Sequence, residues 1–338
     1  MPLHTVLGPI DAGTLGPTSM HEHLLSDLRL WARPAPPDEP RLTGPLRPHD
    51  MARLRWNALS VPDNLVLHDP EVAAAELTAL HAAGGAAVVE LTLHGMGRRL
   101  AELPALSRRT GVAVCVGTGW YVEATHPDSI RTADTDTLTE RLLAELDDGI
   151  DGTGIRPALI GELGTGHPPT TAELRVVEAA GQAAAARGCT VNVHVSFRGQ
   201  DALALVDLLL AQGMPADRIV LSHMDEVLDR SYHRDAAQTG AVLEYDTFGT
   251  DFFYGSPDLR SPADHERLDM AEWLLSEGHT DQLVIGCDVW TQTHLLHNGG
   301  FGYEHLFRRI APALERRVGA EAVHRVLVTT PRRLLDRP

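Results

Sequence analysis

The chain has 338 residues, 43% of them hydrophobic, enough for one large core, and it holds no apolar run long enough to span a bilayer. Its formal net charge is −17, and no Lys/Arg stripe with interleaved aromatics occurs, which argues against nucleic acid or an anionic membrane and favours a small molecule as the partner. There is no lysine: all 29 basic residues are arginine, so any chemistry that needs a lysine amine is excluded.

The start, Met1-Pro2-Leu3-His4-Thr5, lacks the basic segment and apolar run of a secretory signal, and a cytoplasmic location is expected. The first predicted strand, 18–23, ends in Met20-His21-Glu22-His23-Leu24. The i, i+2 spacing points both imidazoles the same way, about 7 Å apart along the backbone, so both can reach one metal ion beyond the strand. Two surface histidines at a strand-to-loop junction are the alternative. Glu22 points to the other face and is expected to be structural. From residue 33 to 68, Pro34, Pro36, Pro37, Pro40, Pro45, Pro48 and Pro62 argue against continuous secondary structure.

Thereafter short apolar or β-branched runs alternate with longer amphipathic stretches. Further strands are predicted at 86–92, 112–117, 158–162, 190–195, 218–223, 241–247 and 282–288, and helices at 69–83, 137–148, 171–187, 201–212 and 263–277. Gly84, Gly85, Gly188 and Gly213 stand where helices should end. Cys115, Cys189 and Cys287 lie inside apolar strand-like runs with no CxxC spacing, and are read as buried thiols rather than disulfides or zinc ligands. Eight strands alternating with helices fit an α/β fold, a (β/α)₈ TIM barrel formed by a single domain over 1–338, with the proline-rich segment lying over the C-terminal mouth.

At the predicted strand ends stand His21 and His23, Glu162, His194, His223 with Asp225, and Asp288. Each has a bland reading. His194 in a β-forming run can be a hydrogen-bonded core histidine, Glu162 can be solvated at a loop start, and His223 and Asp288 can cap helices. A parallel barrel brings all its strand ends to one cup, however, and four histidines with two or three carboxylates there match what two zinc-like ions require.

Together with Gly95-Met96-Gly97-Arg98, Gly117-Thr118-Gly119-Trp120-Tyr121, Ile160-Gly161-Glu162-Leu163-Gly164-Thr165, Ser222-His223-Met224-Asp225, Asp246-Thr247-Phe248-Gly249 and Asn298-Gly299-Gly300-Phe301-Gly302-Tyr303, these residues resemble the phosphotriesterase-related branch of the amidohydrolase superfamily, in order from about residue 5 to 336. The resemblance implies a binuclear centre in which His21, His23 and Asp288 hold the more buried ion and His194 and His223 the more exposed one. Many members bridge the ions with a carbamylated lysine, which a chain without lysine cannot supply; Glu162 then takes that place, as in the related proteins with Gly-Glu-hydrophobe-Gly at this strand end. Two divalent ions are expected as cofactors, zinc first, with manganese, cobalt or iron also accepted by such ligands. Two dications, Glu162, Asp288 and one hydroxide leave a net charge of about +1, suited to a developing oxyanion.

The implied activity is hydrolysis, a bridging hydroxide attacking an ester, lactone or amide carbonyl of a small molecule, with Asp288 moving the proton to the leaving group. Asp225 is expected either to orient His223 from behind or to cap the next helix. Phosphotriesterases proper carry a histidine after the Asp of the seventh strand and acyl-homoserine lactonases an arginine, whereas this chain has Thr247, which counts against either of these activities, efficient organophosphate hydrolysis above all, although phosphotriester hydrolysis stays as an alternative. Trp120, Tyr121, Phe248, Tyr254, Trp290 and His294 are candidate pocket residues, and Arg198 a candidate anchor for an acidic group. Competing readings are a mononuclear deaminase using His21, His23, His194 and Asp288, and a barrel that binds a ligand without turning it over. A homodimer is left open as the assembly.

Overall fold

A computed structural model describes residues 2–33 and 46–337. Its centre is an eight-stranded parallel sheet of β1 (Thr18–Glu22), β2 (Ala87–Glu90), β3 (Ala113–Thr118), β4 (Leu159–Gly164), β5 (Val191–His194), β6 (Ile219–Ser222), β7 (Val242–Tyr245) and β8 (Leu283–Ile285), each beside its predecessor in the chain. The seam between β8 and β1 is closed by other means than a strand ladder. Asp288 N donates to His21 O at 3.1 Å, and the buried Glu22 carboxylate accepts from Cys287 N at 3.2 Å and Val289 N at 3.1 Å. The expected (β/α)₈ barrel is the observed architecture.

The side-chain period of two sorts the strand residues into two cores. Val88, Ile219, Leu221, Leu243, Leu283 and Ile285 face outward to the helices, while Ala87, Val89, Val220, Val242 and Val284 fill the barrel. An N-terminal hairpin, Pro2–Thr5 with Gly8–Asp11, covers the barrel floor, where Leu3 and Leu15 pack with Leu334 and Leu335 from the last helix. Continuing the inward parity upward, β5 to β7 turn polar: Asn192, Ser222 and Glu244 are all buried. Asn192 Nδ2 donates to Glu244 Oε2 at 2.7 Å and Ser222 Oγ lies 2.6 Å from the same oxygen. This hydrogen-bonded layer separates the apolar plug from the cup above it.

The five expected helices are present, all within two residues of their expected bounds; that over Thr171–Arg187 begins with a Thr170–Glu173 capping box and ends at Gly188, whose φ of 63° favours a residue without Cβ. Additional helices stand at Leu103–Thr110, Arg230–Gln238, Ala311–Val318 and Thr330–Leu335. The proline-rich segment departs from expectation where it is described. Residues 34–45 lie outside the described part, but Met51–Trp56 is a short helix, and Val66–Leu67 pairs antiparallel with Ser26–Asp27. Its prolines fall before and after these pieces, so neither loses a backbone donor it needs. All three cysteines are buried and free. No helix of the described residues is long and apolar enough to cross a membrane.

Candidate metal centre

The C-terminal end of the barrel brings the six predicted ligands together. Glu162, on β4, lies among four imidazoles, and its two oxygens divide them. Oε1 is 2.6 Å from His194 Nδ1 and 2.8 Å from His223 Nε2, whereas Oε2 is 3.4 Å from His21 Nε2 and 4.0 Å from His23 Nε2. Asp288 Oδ1 completes the second pair, 3.2 Å from His23 Nε2 and 3.7 Å from His21 Nε2. Two groups of ligand atoms, His21/His23/Asp288 and Glu162/His194/His223, thus each lie within 4.8 Å of one another. A carboxylate facing one histidine pair with each oxygen has the disposition of a bridge between two cations.

The residues fit such ions on an observation of their own: His21 Nε2 is fully buried and makes no hydrogen bond. A buried imidazole nitrogen without a partner is costly, and a cation taking its lone pair removes the cost. Burial by itself raises the Glu162 carboxyl, but positive charge at His21 and the hydrogen bonds from His194 and His223 hold it well below the usual carboxylate range. Burial likewise raises Asp288, and the hydrogen bond from His23 with the charge on His21 reverses this, keeping it ionised.

Among the described residues, two of the three non-glycine residues with positive φ are in this cluster, His223 at 62° and Asp288 at 43°. Such conformations cost on the order of 1–3 kcal/mol each and persist only where the surroundings fix them. The fixing contacts are His223 N to Asp246 Oδ1 at 3.1 Å and Asp288 N to His21 O at 3.1 Å. Gly286 permits the close approach of β8 to β1, since a Cβ there would lie 3.0 Å from both His21 N and His21 O.

The cup opens into a cavity of about 490 Å³ lined by Glu162, His194, His223 and Asp288 at its base. Among the expected pocket residues, Tyr121, Arg198, Tyr254 and Trp290 line it, joined by Trp31, Arg33, Leu59 and Phe197. Leu59 and Arg33 come from the two described ends of the proline-rich segment, which therefore does reach the mouth. Three expected pocket residues lie elsewhere. Trp120 is buried in the outer core, Phe248 packs in the same core, and His294 sits behind the lining, stacked on Phe252 at 5.3 Å and edge-on to Trp290 at 6.5 Å. Aromatic and histidine side chains just beyond strand ends are as useful for packing as for binding, and sequence spacing does not tell the two apart.

Asp225 also differs from expectation. Its carboxylate accepts from Asp246 N at 3.3 Å, Thr247 N at 3.1 Å and Thr247 Oγ1 at 3.0 Å, and meets the buried Arg267 Nε at 3.0 Å. It neither orients His223 nor caps a helix: it holds the turn after β7. The carboxylate that orients His223 is Asp246, 2.9 Å from His223 Nδ1. Asp246 was legible only as an acid at a strand end, the same signal that marks Asp288. Tyr254 OH donates to Glu226 Oε1 at 3.3 Å, and Glu226 joins Glu162 and Asp288 as a third carboxylate in the cavity wall, one that the sequence reading does not single out.

The chain is similar to known proteins over almost its whole length. The N-acetyltaurine hydrolase of Xenopus tropicalis is 33% identical over 339 residues, spanning 98% of this chain and 97% of that protein. Among solved structures, a resiniferatoxin-binding protein from Rhodobacter sphaeroides superposes with a TM-score of 0.94 at 33% identity, covering 99% of this chain and 95% of the other. A phosphotriesterase homology protein from Escherichia coli, complexed with phosphate in its active site, gives a TM-score of 0.79 at 25% identity over 95% and 99%. With the model of the phosphotriesterase family matching residues 1–335, the chain belongs to that family.

Proposed function

We propose that the protein is a metal-dependent hydrolase that cleaves the amide bond of a small N-acylated molecule bearing an anionic group. The observation that carries the reading is the division of Glu162 between the His21/His23 and His194/His223 pairs at the base of a substrate-sized cavity. In this reading His21, His23 and Asp288 hold one divalent ion, His194 and His223 the other, and Glu162 lies between them. Zinc is the first candidate. Divalent ions held by these residues would supply Lewis acidity to the scissile carbonyl and to the attacking water.

The chain's own groups do the rest. Asp288, ionised and facing the cavity, takes the proton of the attacking water and returns it to the departing nitrogen, which cannot leave as an amide anion. Tyr121 OH, 3.4 Å from His194 Nδ1, flanks the same position. Farther out, Arg33 and Arg198 line the cavity with no acidic partner among the described residues, and they would receive a sulfonate or carboxylate. The name of the Xenopus relative, whose substrate carries a sulfonate beyond an acetamide, supports both the bond and the charge.

The test combines metal analysis with hydrolysis of N-acetyltaurine, a neutral acetamide, a lactone and a phosphotriester. About two ions per chain and preferred cleavage of the anionic amide are expected, with both activities abolished by a chelator. Arg198→Gln should raise KM for the anionic amide about tenfold or more and leave kcat/KM for the neutral one unchanged. One ion per chain with release of ammonia would support a mononuclear deaminase instead, and hydrolysis of the lactone alone would refute the amide assignment.

A further inference from the structure

One carboxylate beneath the cup touches both histidine pairs. Asp246, fully buried just after β7, places Oδ2 2.9 Å from His21 Nδ1 and Oδ1 2.9 Å from His223 Nδ1. His21 belongs to the group with His23 and Asp288, and His223 to the group with Glu162 and His194. A neutral imidazole carries its proton on one nitrogen only, and an acceptor at Nδ1 places it there, leaving the Nε2 lone pair bare. Both Nε2 atoms face Glu162, at 3.4 Å from His21 and 2.8 Å from His223, where a cation would take the lone pair in place of the hydrogen bond that His223 Nε2 makes to Glu162.

Resting on the metal reading above, we propose that Asp246 is a positioning residue shared by the two half-sites: one carboxylate sets the tautomer and aim of one ligand histidine on each ion, so that loss of this carboxylate weakens both ions together. Metal-ligating histidines ordinarily have an acceptor behind them, but one acceptor serving two ions makes their occupancies depend on a common group. Three further contacts show that Asp246 is built for this placement. Its carboxylate also accepts the His223 backbone N–H at 3.1 Å, fixing the ring and the left-handed backbone of the same residue. Its own N–H donates to Asp225 Oδ1 at 3.3 Å, and Asp225 is in turn pinned by Arg267 at 3.0 Å. The neighbouring Glu244 accepts a hydrogen bond from the same His21 Nδ1 at 3.3 Å, beside the 2.9 Å approach of Asp246, but it is also engaged by Asn192 and Ser222 and has no contact with His223 among the described residues, so it serves one half-site at most.

The experiment titrates metal-free wild type, Asp246→Asn and Glu244→Gln with Co2+, following the visible absorption of the bound ion and confirming stoichiometry by elemental analysis. Asp246→Asn keeps one acceptor oxygen but turns an amide N–H toward the other histidine, and both Co2+ equivalents should weaken, each by about 10–100-fold. Glu244→Gln should weaken one equivalent at most. An Asp246→Asn protein that loses a single equivalent, or binds two as tightly as wild type, overturns the proposal. A second measurement needs no variant to fold: long-range ¹⁵N–¹H correlation spectra of the Zn2+-loaded wild type should show Nδ1–H tautomers at both His21 and His223, and an Nε2–H tautomer at either overturns it. Wild type that binds fewer than two Co2+ ions refutes the metal reading itself, and the proposal with it, before any variant is compared.

Discussion

His233 offers a test of the barrel wall behind the cup. It lies in the Arg230–Gln238 helix with 0% exposure, its Nε2 2.8 Å from Val227 O and its Nδ1 2.5 Å from the hydroxyl of Tyr245, the residue before Asp246. The geometry suits a neutral ring that donates to the carbonyl and accepts from the phenol. Burial, only partly opposed by the Val227 and Met224 carbonyls, pushes its pKa from 6.5 down to about 4. The sign follows from proton binding. Above pH 6.5 neither state is protonated and the contribution is fully present. As pH falls from 6.5 toward 4 the unfolded chain takes up a proton that the folded one refuses, and stability is lost. The gap corresponds to about 3 kcal/mol in full, of which about 2 kcal/mol is lost by pH 5. Other groups titrate in the same range, so the measurement is a difference: guanidinium unfolding of metal-free wild type and His233→Gln, each at pH 7 and pH 5. Glutamine reaches the same partners without titrating. Wild type should lose about 2 kcal/mol more than the variant on acidification. Parallel losses in the two proteins would refute the assignment of a buried neutral ring.

Glu162→Ala removes the carboxylate that faces both histidine pairs from within the cup; metal content should fall to one ion per chain or fewer, with hydrolysis falling alongside, and retention of two ions at full rate would exclude the bridging role. Asp288→Asn should leave the thermal melt near that of wild type while lowering kcat about 10²–10⁴-fold, and a near-normal rate would remove Asp288 from proton transfer. Arg267→Met leaves the buried Asp225 without its cation and should cost about 3–5 kcal/mol in denaturant unfolding, whereas Arg267→Met combined with Asp225→Asn should cost less than Arg267→Met alone; equal losses would show that the two do not act as a pair.

The barrel was legible because a strand buried on both faces reads as a run such as Ile219-Val220-Leu221, bounded by glycine or polar residues. The strand ends were less so. Predicted strands run through His223 and Asp288, yet these residues leave the extended conformation at φ 62° and 43°, because the turn that aims them is fixed by Asp246 and His21 from other strands. Residues chosen for chemistry interrupt the local pattern that would announce them. The helix Arg230–Gln238 was missed for a different reason: its buried face is Tyr232, His233, Ala236 and Ala237, too small and polar to register as an apolar stripe, although Asp229 at its N-cap was a usable signal. The clustering of the candidate ligands was readable from residue type and place. The wiring behind the ligands was not, because hydrogen bonds such as Arg267–Asp225–Thr247 join segments about 20 residues apart or more that only the folded chain brings together.

Glu22 stands between the two histidines of the first strand and grips the backbone on either side of Asp288, at Cys287 N and Val289 N. The motif on the first barrel strand therefore stays unfinished until about five-sixths of these 338 residues have been made. Through most of synthesis the His21/His23 pair faces a gap where β8 will lie, and Glu22 has no backbone to hold. A chain cut before residue 282 should carry both histidines and still fail to retain metal, since the step that closes the cylinder also delivers the last ligand.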